Sequence, residues 1–175
     1  MLFRSLPNGK TISDVFKERP QVFNPVLTFV QALLREEGYL DPKDREFIAA
    51  FTSSLNNCSF CTGSHRVFAL SLGADELSLD AALLGNYSKL KLAPILKYVE
   101  ILTRTPSALT QADVQQVLDS GFSEEQLKEA IVICAAFNMF NRIVEGHGIE
   151  ENPQTWALSA EMINKFGYDG SKLNG

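Results

Sequence analysis

Residues 56–65, with the sequence NNCSFCTGSH, hold most of the reactive side chains of this 175-residue chain. Cys58 and Cys61 are two of its three cysteines, and His65 is one of its two histidines. On an α-helix, residues at i, i+3 and i+7 fall within about 60° of one another around the axis. One helix face would therefore present two thiols and an imidazole, a set that suits redox chemistry or metal binding.

The spacing of the two cysteines favours thiol chemistry. Cys58 is expected at or next to the N-cap of its helix, where free N–H groups and the helix dipole stabilise a thiolate. The C-x-x-C spacing lets two sulfurs reach disulfide geometry with little backbone strain. A thiolate is a nucleophile at neutral pH, and the second thiol can resolve its oxidised product as a disulfide. On this argument Cys58 is the more activated thiol.

Glu46, upstream of the cysteines, is placed to meet His65. The helix that carries Glu46 is expected to end near Asn56, about ten residues or ~15 Å farther on. His65 lies some seven residues, or ~10 Å, beyond that turn. If the two helices pack antiparallel, as a short connection favours, the carboxylate and the imidazole come to similar heights. Together they would form a proton relay attached to the dithiol.

Composition excludes several classes of protein. A net charge of −5, with no cluster of Lys and Arg, argues against a nucleic-acid partner. The start, MLFRSLPNGK, lacks the apolar run of a signal peptide, and no window approaches the ~20 apolar residues of a membrane span. Three cysteines are too few for a secreted disulfide framework, so the expected location is cytoplasmic. Cys134, within AIVICAAFNMF, is predicted to be a small buried core residue.

Cap signals predict an all-α fold, an irregular helical bundle of about seven to nine helices in one domain, 1–175. Asn24-Pro25 and Asp41-Pro42 are both expected to begin helices, with the proline in the first turn. Ser123 and Gln126 form a capping box that opens a long helix. The expected helices span residues 25–38, 42–57, 58–72, 74–85, 94–105, 111–121, 124–145 and 153–167.

The segment EFIAAFTSSLNNCSFCTGSHRVFALSL resembles the signature of the alkylhydroperoxidase D-like, carboxymuconolactone decarboxylase superfamily. That signature is a Glu followed by Asn-x-Cys-x-Tyr/Phe-Cys-x-x-x-His on two successive helices. The positions that match it are Glu46, Asn56, Cys58, Phe60, Cys61 and His65. Downstream, residues 121–150 resemble a second segment of the subgroup called uncharacterised peroxidase-related proteins, with Phe140, Asn141 and Arg142 at the end of a long helix. The resemblance covers roughly residues 20–150.

The resemblance implies a helical protein that assembles as dimers, trimers or hexamers of one chain. It implies thiol-dependent peroxidase or disulfide reductase chemistry, with a hydroperoxide substrate, a dithiol reductant or reducing protein, and no haem, metal or other cofactor. Carried over, Cys61 attacks the peroxide, Cys58 resolves the product, and Glu46 and His65 form the relay. This order reverses the ranking from the helix terminus. The conflict is softened because the helix dipole acts through the first turn and Cys61 is nearer His65.

Two features leave other functions open. Phe60 stands between the cysteines where alkylhydroperoxidase D has an additional histidine, which reduces the relay to one histidine.

A zinc site could instead use Cys58, Cys61 and His65, with Glu46 or His147 as the fourth ligand, although no second ligand pair accompanies them. A redox-inert interaction module with the same fold is the third hypothesis. His147 is given no catalytic role.

The aromatic residues around the motif predict an apolar substrate pocket, although ordinary core packing accounts for such residues as well. They are Phe47, Phe51, Phe60 and Phe68.

Overall fold

The structure, a computed structural model, describes residues 11–169. Within this range the chain forms nine α-helices and one short 3₁₀ helix, Pro106–Ala108, and no β-strand, so the all-α class is confirmed. The first ten residues, on which the signal-peptide argument depended, lie outside the described range. The helices are α1 Ile12–Glu18, α2 Pro20–Arg35, α3 Pro42–Leu55, α4 Ser59–Ser71, α5 Glu76–Leu83, α6 Ala93–Arg104, α7 Gln111–Asp119, α8 Glu124–His147 and α9 Pro153–Phe166.

Most helices begin where a local signal predicts. Pro42 occupies the first turn of α3 after Asp41. The capping box of α8 is formed, because the Ser123 side chain accepts from the Gln126 backbone N–H and the Gln126 side chain accepts from the Ser123 backbone N–H. These contacts satisfy donors that a helix start otherwise leaves unpaired, which fixes the starting residue.

The predicted start of α2 at Pro25 is wrong. The helix begins at Pro20, and Pro25 lies inside it. An interior proline removes one helical hydrogen bond, which makes position 25 look like a helix start from sequence alone. Packing explains the longer helix: Phe16 of α1, a helix that was not predicted, stacks on Phe23 with 4.6 Å between ring centroids.

Helix α3 forms the centre of the bundle. Nine consecutive residues, Arg45 to Ser53, are buried, so neighbours cover all sides of the helix. The hydroxyls of Thr52 and Ser53 donate to the carbonyls one turn earlier, at 2.8 Å each, which satisfies these polar groups inside the core. Helices α4 and α8 pack on α3, and α9 packs on α4. Cys134 is fully buried in this core, as expected.

Between residues 11 and 169, no helix has the length and apolar character needed to cross a membrane.

Candidate active site

A tight turn between α3 and α4 sets the geometry of the site. Asn57 has a φ of 55°, in the left-handed region that asparagine adopts more readily than most residues. The backbone N–H of Cys58 then donates to the carbonyl of Ser53 at 3.1 Å. The chain reverses within three residues, so α4 returns antiparallel along α3.

This packing brings Glu46 and His65 into contact. Nδ1 of His65 lies 2.5 Å from Oε2 of Glu46, so the expectation that the two groups come to the same height is confirmed. Glu46 has no exposed surface, and His65 is 9% exposed. The carboxylate fixes the orientation of the ring, as second partners of functional histidines do.

Glu46 also contacts two residues that the sequence did not suggest. Its Oε1 pairs with Nη1 of Arg35 from α2 and accepts a hydrogen bond of 2.7 Å from the hydroxyl of Tyr168, which follows α9. Burial raises the pKa of the Glu46 carboxyl, but His65, Arg35 and Tyr168 together outweigh burial and hold that pKa below its usual value. Glu46 is therefore a carboxylate at neutral pH.

The two cysteines lie at the start of α4, and both thiols are free. Cys58 is the N-cap residue, as predicted, and Cys61 lies in the first turn. A hydrogen bond from the Cys61 thiol to the sulfur of Cys58 lowers the pKa of Cys58 despite burial. The same hydrogen bond, together with burial, raises the pKa of the Cys61 thiol. Cys58 is therefore the more acidic thiol of the reduced pair, which is the ranking that the helix-terminus argument predicted.

Helix α8 supplies two polar groups to the thiols. The Asn141 side chain donates to the sulfur of Cys61 and thereby opposes the rise of the Cys61 pKa. Its amide is held by Ser53 and Asn56, at 2.9 Å each, and is 2% exposed. The second group is the carboxylate of Glu145, which raises the pKa of the other thiol, Cys58.

Aromatic residues surround this polar centre, mostly as part of the core. Phe47, Phe51 and Phe68 are at most 5% exposed, so they pack as ordinary core residues. Phe68 and Phe137 pack edge-on against the His65 ring, with centroid distances of 5.2 and 4.5 Å.

A smaller apolar cluster encloses the thiols. Its buried members are Val15, Cys58, Cys61, Val144 and Ile149, and Phe16, Phe23 and Phe60 pack against it. Cys58 has no exposed surface and Cys61 is 3% exposed, so apolar side chains cover the dithiol.

A surface groove lies away from these residues. It has a volume of about 1010 Å³ between α5, α6 and α7, and it is lined by Phe51 and Tyr87 among others but by none of the four candidate residues, Glu46, Cys58, Cys61 and His65. Of the Phe residues around the motif, Phe51 alone lines this groove. The groove is therefore not the predicted pocket.

The zinc hypothesis has no support in the geometry. Across residues 11–169, no group of three or more His, Cys, Asp or Glu side chains is arranged to hold a metal ion. His65 uses Nδ1 for Glu46, and His147, in the last turn of α8, places Nδ1 2.7 Å from the carbonyl of Ile143.

Comparison with known proteins gives this site a family context. Residues 20–88 match the carboxymuconolactone decarboxylase family model. The matched segment contains Glu46, Cys58, Cys61 and His65. No curated protein matches the chain.

Solved structures share the fold. An uncharacterized peroxidase-related protein from Ralstonia eutropha, described as an alkylhydroperoxidase AhpD core, is 24% identical, with 82% of this chain and 77% of that chain covered and a TM-score of 0.74. A peroxidase-related protein from Silicibacter is 22% identical, with coverages of 80% and 75% and a TM-score of 0.73. A protein of unknown function from Agrobacterium tumefaciens is 20% identical, with coverages of 82% and 99% and a TM-score of 0.67. The family model thus confirms the resemblance over residues 20–88, and the solved structures confirm the all-α fold.

Sequence reasoning missed Arg35 and Tyr168 and gave Asn141 no role. Asn141 had a signal, since it stands in the FNR segment of the resemblance. Arg35 had a weaker signal in the sequence. It lies one helical turn after Gln31 and next to the buried Leu34, so two polar residues fall on the side of α2 that faces the core. Nothing in the sequence marks Tyr168.

Proposed function

We propose that this protein is a thiol-dependent peroxidase that reduces hydroperoxides with the Cys58–Cys61 pair. The observation that carries the proposal is the 2.5 Å contact between buried Glu46 and His65. His65 lies on α4, the helix that begins with the two thiols. A fixed imidazole one turn from Cys61 is a base that can accept the thiol proton. The likeness to peroxidase-related structures supports the same chemistry.

In the proposed cycle, Cys61 attacks the hydroperoxide. Its proton passes to His65, the sulfur bonds to the distal oxygen, and the O–O bond breaks. The alcohol leaves with the proton returned by His65, and Cys61 becomes a sulfenic acid. The sulfur of Cys58 then attacks Cys61, an S–S bond forms and water leaves. A dithiol reductant supplies two electrons and two protons to restore both thiols and is itself oxidised to a disulfide.

The apolar cover of the dithiol favours organic hydroperoxides over hydrogen peroxide. Val15, Phe16 and Phe60 lie around the sulfurs, so a substrate reaches them through apolar side chains. Burying an alkyl group against such a surface contributes about 0.8 kcal/mol per CH₂. We therefore expect kcat/KM to rise along a series of alkyl hydroperoxides of increasing length.

One observation favours a second function, disulfide reduction. The lowered pKa of Cys58 makes it the first nucleophile for a disulfide of a partner, with Cys61 resolving the mixed disulfide. The peroxidase cycle needs Cys61 to lose its proton first, whereas disulfide exchange through Cys58 does not. The two functions therefore assign opposite roles to the cysteines.

Serine variants test both functions. Cys61→Ser should abolish consumption of cumene hydroperoxide with dithiothreitol, and Cys58→Ser should form a sulfenic acid that dimedone traps without an internal disulfide. Cys134→Ser, at a buried core thiol, is the matched control and should keep turnover. Unchanged consumption in Cys61→Ser would refute the role assignment. Reduction of a disulfide substrate without peroxide consumption in the unmodified protein would favour the second function.

A further inference from the structure

Tyr168, two residues past the end of α9, places its hydroxyl beside the relay. The hydroxyl donates to Oε1 of Glu46 at 2.7 Å, and the guanidinium of Arg35 lies over the ring at 5.0 Å from its centroid. Burial, and the charge of Glu46, raise the pKa of Tyr168 well above its usual value. The phenol is therefore a neutral donor at every pH at which the protein would work.

The short segment that carries Tyr168 is held in place by α2. The backbone N–H of Tyr168 donates to Oε1 of Gln31 at 2.9 Å, and Gln31 is 2% exposed. Gly167 has a φ of 79°, and a Cβ there would lie 2.6 Å from the same Gln31 oxygen. The positive φ favours glycine at position 167, and the missing side chain leaves room for the Gln31 amide that holds Tyr168.

The donors around Glu46 are divided between its two oxygens. Oε1 receives Arg35 and Tyr168, and Oε2 receives Nδ1 of His65. Phe137 of α8 and Phe68 of α4 make T-shaped contacts with the imidazole, and the ring of Tyr168 stacks on it with 6.5 Å between centroids. The charged and titratable groups that face Glu46 are thus Arg35 from α2, His65 from α4 and Tyr168 after α9.

We propose that Tyr168 is a positioning residue of the relay, which acts through Glu46 to fix the orientation of His65 and the pH at which the Glu46–His65 pair exchanges its proton. The hydroxyl contacts the carboxylate and not the thiols, so its effect passes through that pair. The catalytic consequence rests on the proposed peroxidase function. The coupling between Tyr168 and the pair does not, and it can be measured by itself.

Removing the hydroxyl has a defined direction. In Tyr168→Phe, Oε1 keeps Arg35 alone, and a carboxylate with one donor fewer is more basic. The pair then retains its proton to higher pH. Loss of one hydrogen bond to a charged carboxylate should shift the proton exchange of the pair by about 0.5 to 1 pH unit.

The test is a pH titration of the imidazole resonances by NMR in the unmodified protein and in Tyr168→Phe. The chain has two histidines, so His147, at the end of α8, is an internal control. Tyr39→Phe is the matched variant, because Tyr39 is 64% exposed. We expect the His65 midpoint to move upward in Tyr168→Phe only, and the acid limb of the pH profile of peroxide consumption to move with it.

The outcomes separate the two proposals. A midpoint shift at His65, with His147 unchanged, supports the role of Tyr168 even if the protein consumes no hydroperoxide, in which case the proposed function fails alone. An active Tyr168→Phe protein with an unchanged midpoint and an unchanged pH profile overturns the role of Tyr168 and leaves the proposed function intact. A second variant, Gln31→Leu, keeps the hydroxyl but frees the segment, and it should shift the midpoint in the same direction; a shift to lower pH would also overturn the role.

Discussion

Glu46→Gln keeps the shape of a buried side chain and removes its negative charge. The Arg35 side chain is 5% exposed, and its Nε and Nη2 have no hydrogen-bond partner among the described residues. In the variant, the guanidinium would remain inside the protein without a counter-charge. The expected result is a large loss of stability that comes from the partner left behind.

The magnitude follows from the burial of both groups. Breaking a buried ion pair by removing one partner costs about 3–5 kcal/mol. Because the glutamine oxygen can still accept from Tyr168 and Arg35, we expect the lower end, about 3 kcal/mol, or roughly 6–12 °C in Tm for a chain of this size. Replacing both charges, in Arg35→Met with Glu46→Gln, should recover about 2 kcal/mol of the summed losses.

Urea unfolding of the four proteins, followed by far-UV circular dichroism at pH 7, measures this coupling. If the double variant loses the sum of the single losses within about 0.5 kcal/mol, the two side chains are energetically independent and the argument fails.

The pH dependence gives a second check on the same charge. The pKa of Glu46 is lowered from 4.5 in the folded protein, so its stabilising contribution is complete above about pH 4.5 and is lost as pH falls through the lower folded value. The stability gap between the unmodified protein and Glu46→Gln should therefore narrow as the solution is acidified below about pH 4.5, where Glu46 takes up its proton in the folded protein. A gap that widens below that pH would contradict the assignment.

Three further changes test other contacts of the site. Asn141→Leu removes the side-chain donor to Cys61 and should slow alkylation of that thiol by about tenfold at pH 8, measured by mass spectrometry. Gly63→Ala places a Cβ 2.0 Å from the ring of Trp156, the single tryptophan, so it should cost about 1–3 kcal/mol and shift the fluorescence of that residue. Val15→Ser loosens α1 over the dithiol and should speed alkylation of Cys61 with little change in circular dichroism.

Local signals were sufficient for the helices that carry the site. Asp41-Pro42 fixes the start of α3, and the turn before Cys58 fixes the start of α4, because each depends on residues within one helical turn. The predicted start of α2 was wrong because it does not depend on neighbouring residues alone. Pro20 and Pro25 both fit a first turn, and the choice between them depends on packing against α1, which local rules do not contain.

The contact between Glu46 and His65 was predictable, but the other partners of these two residues were not. Glu46 and His65 could be paired because a short turn between two helices fixes their relative height. Tyr168 lies 122 positions from Glu46 in the sequence, and an isolated tyrosine after a helix carries no pattern. The opposite pKa shifts of Cys58 and Cys61 depend on which sulfur receives the hydrogen bonds, which is a detail of side-chain geometry.

The candidate residues and the residues that surround them come from different parts of the chain. Residues 20–88 contain all four candidate residues of the site. Three residues that contact the site lie outside that segment: Val15 covers the thiols, Asn141 donates to Cys61, and Tyr168 donates to Glu46. In the proposed cycle, the Glu, Cys-x-x-Cys and His groups determine which bonds break. Substrate size, working pH and the order of the two cysteines depend instead on the surrounding segments, because these set access and proton affinity. A variant series outside residues 20–88 should therefore change specificity and pH profile while the chemistry stays the same.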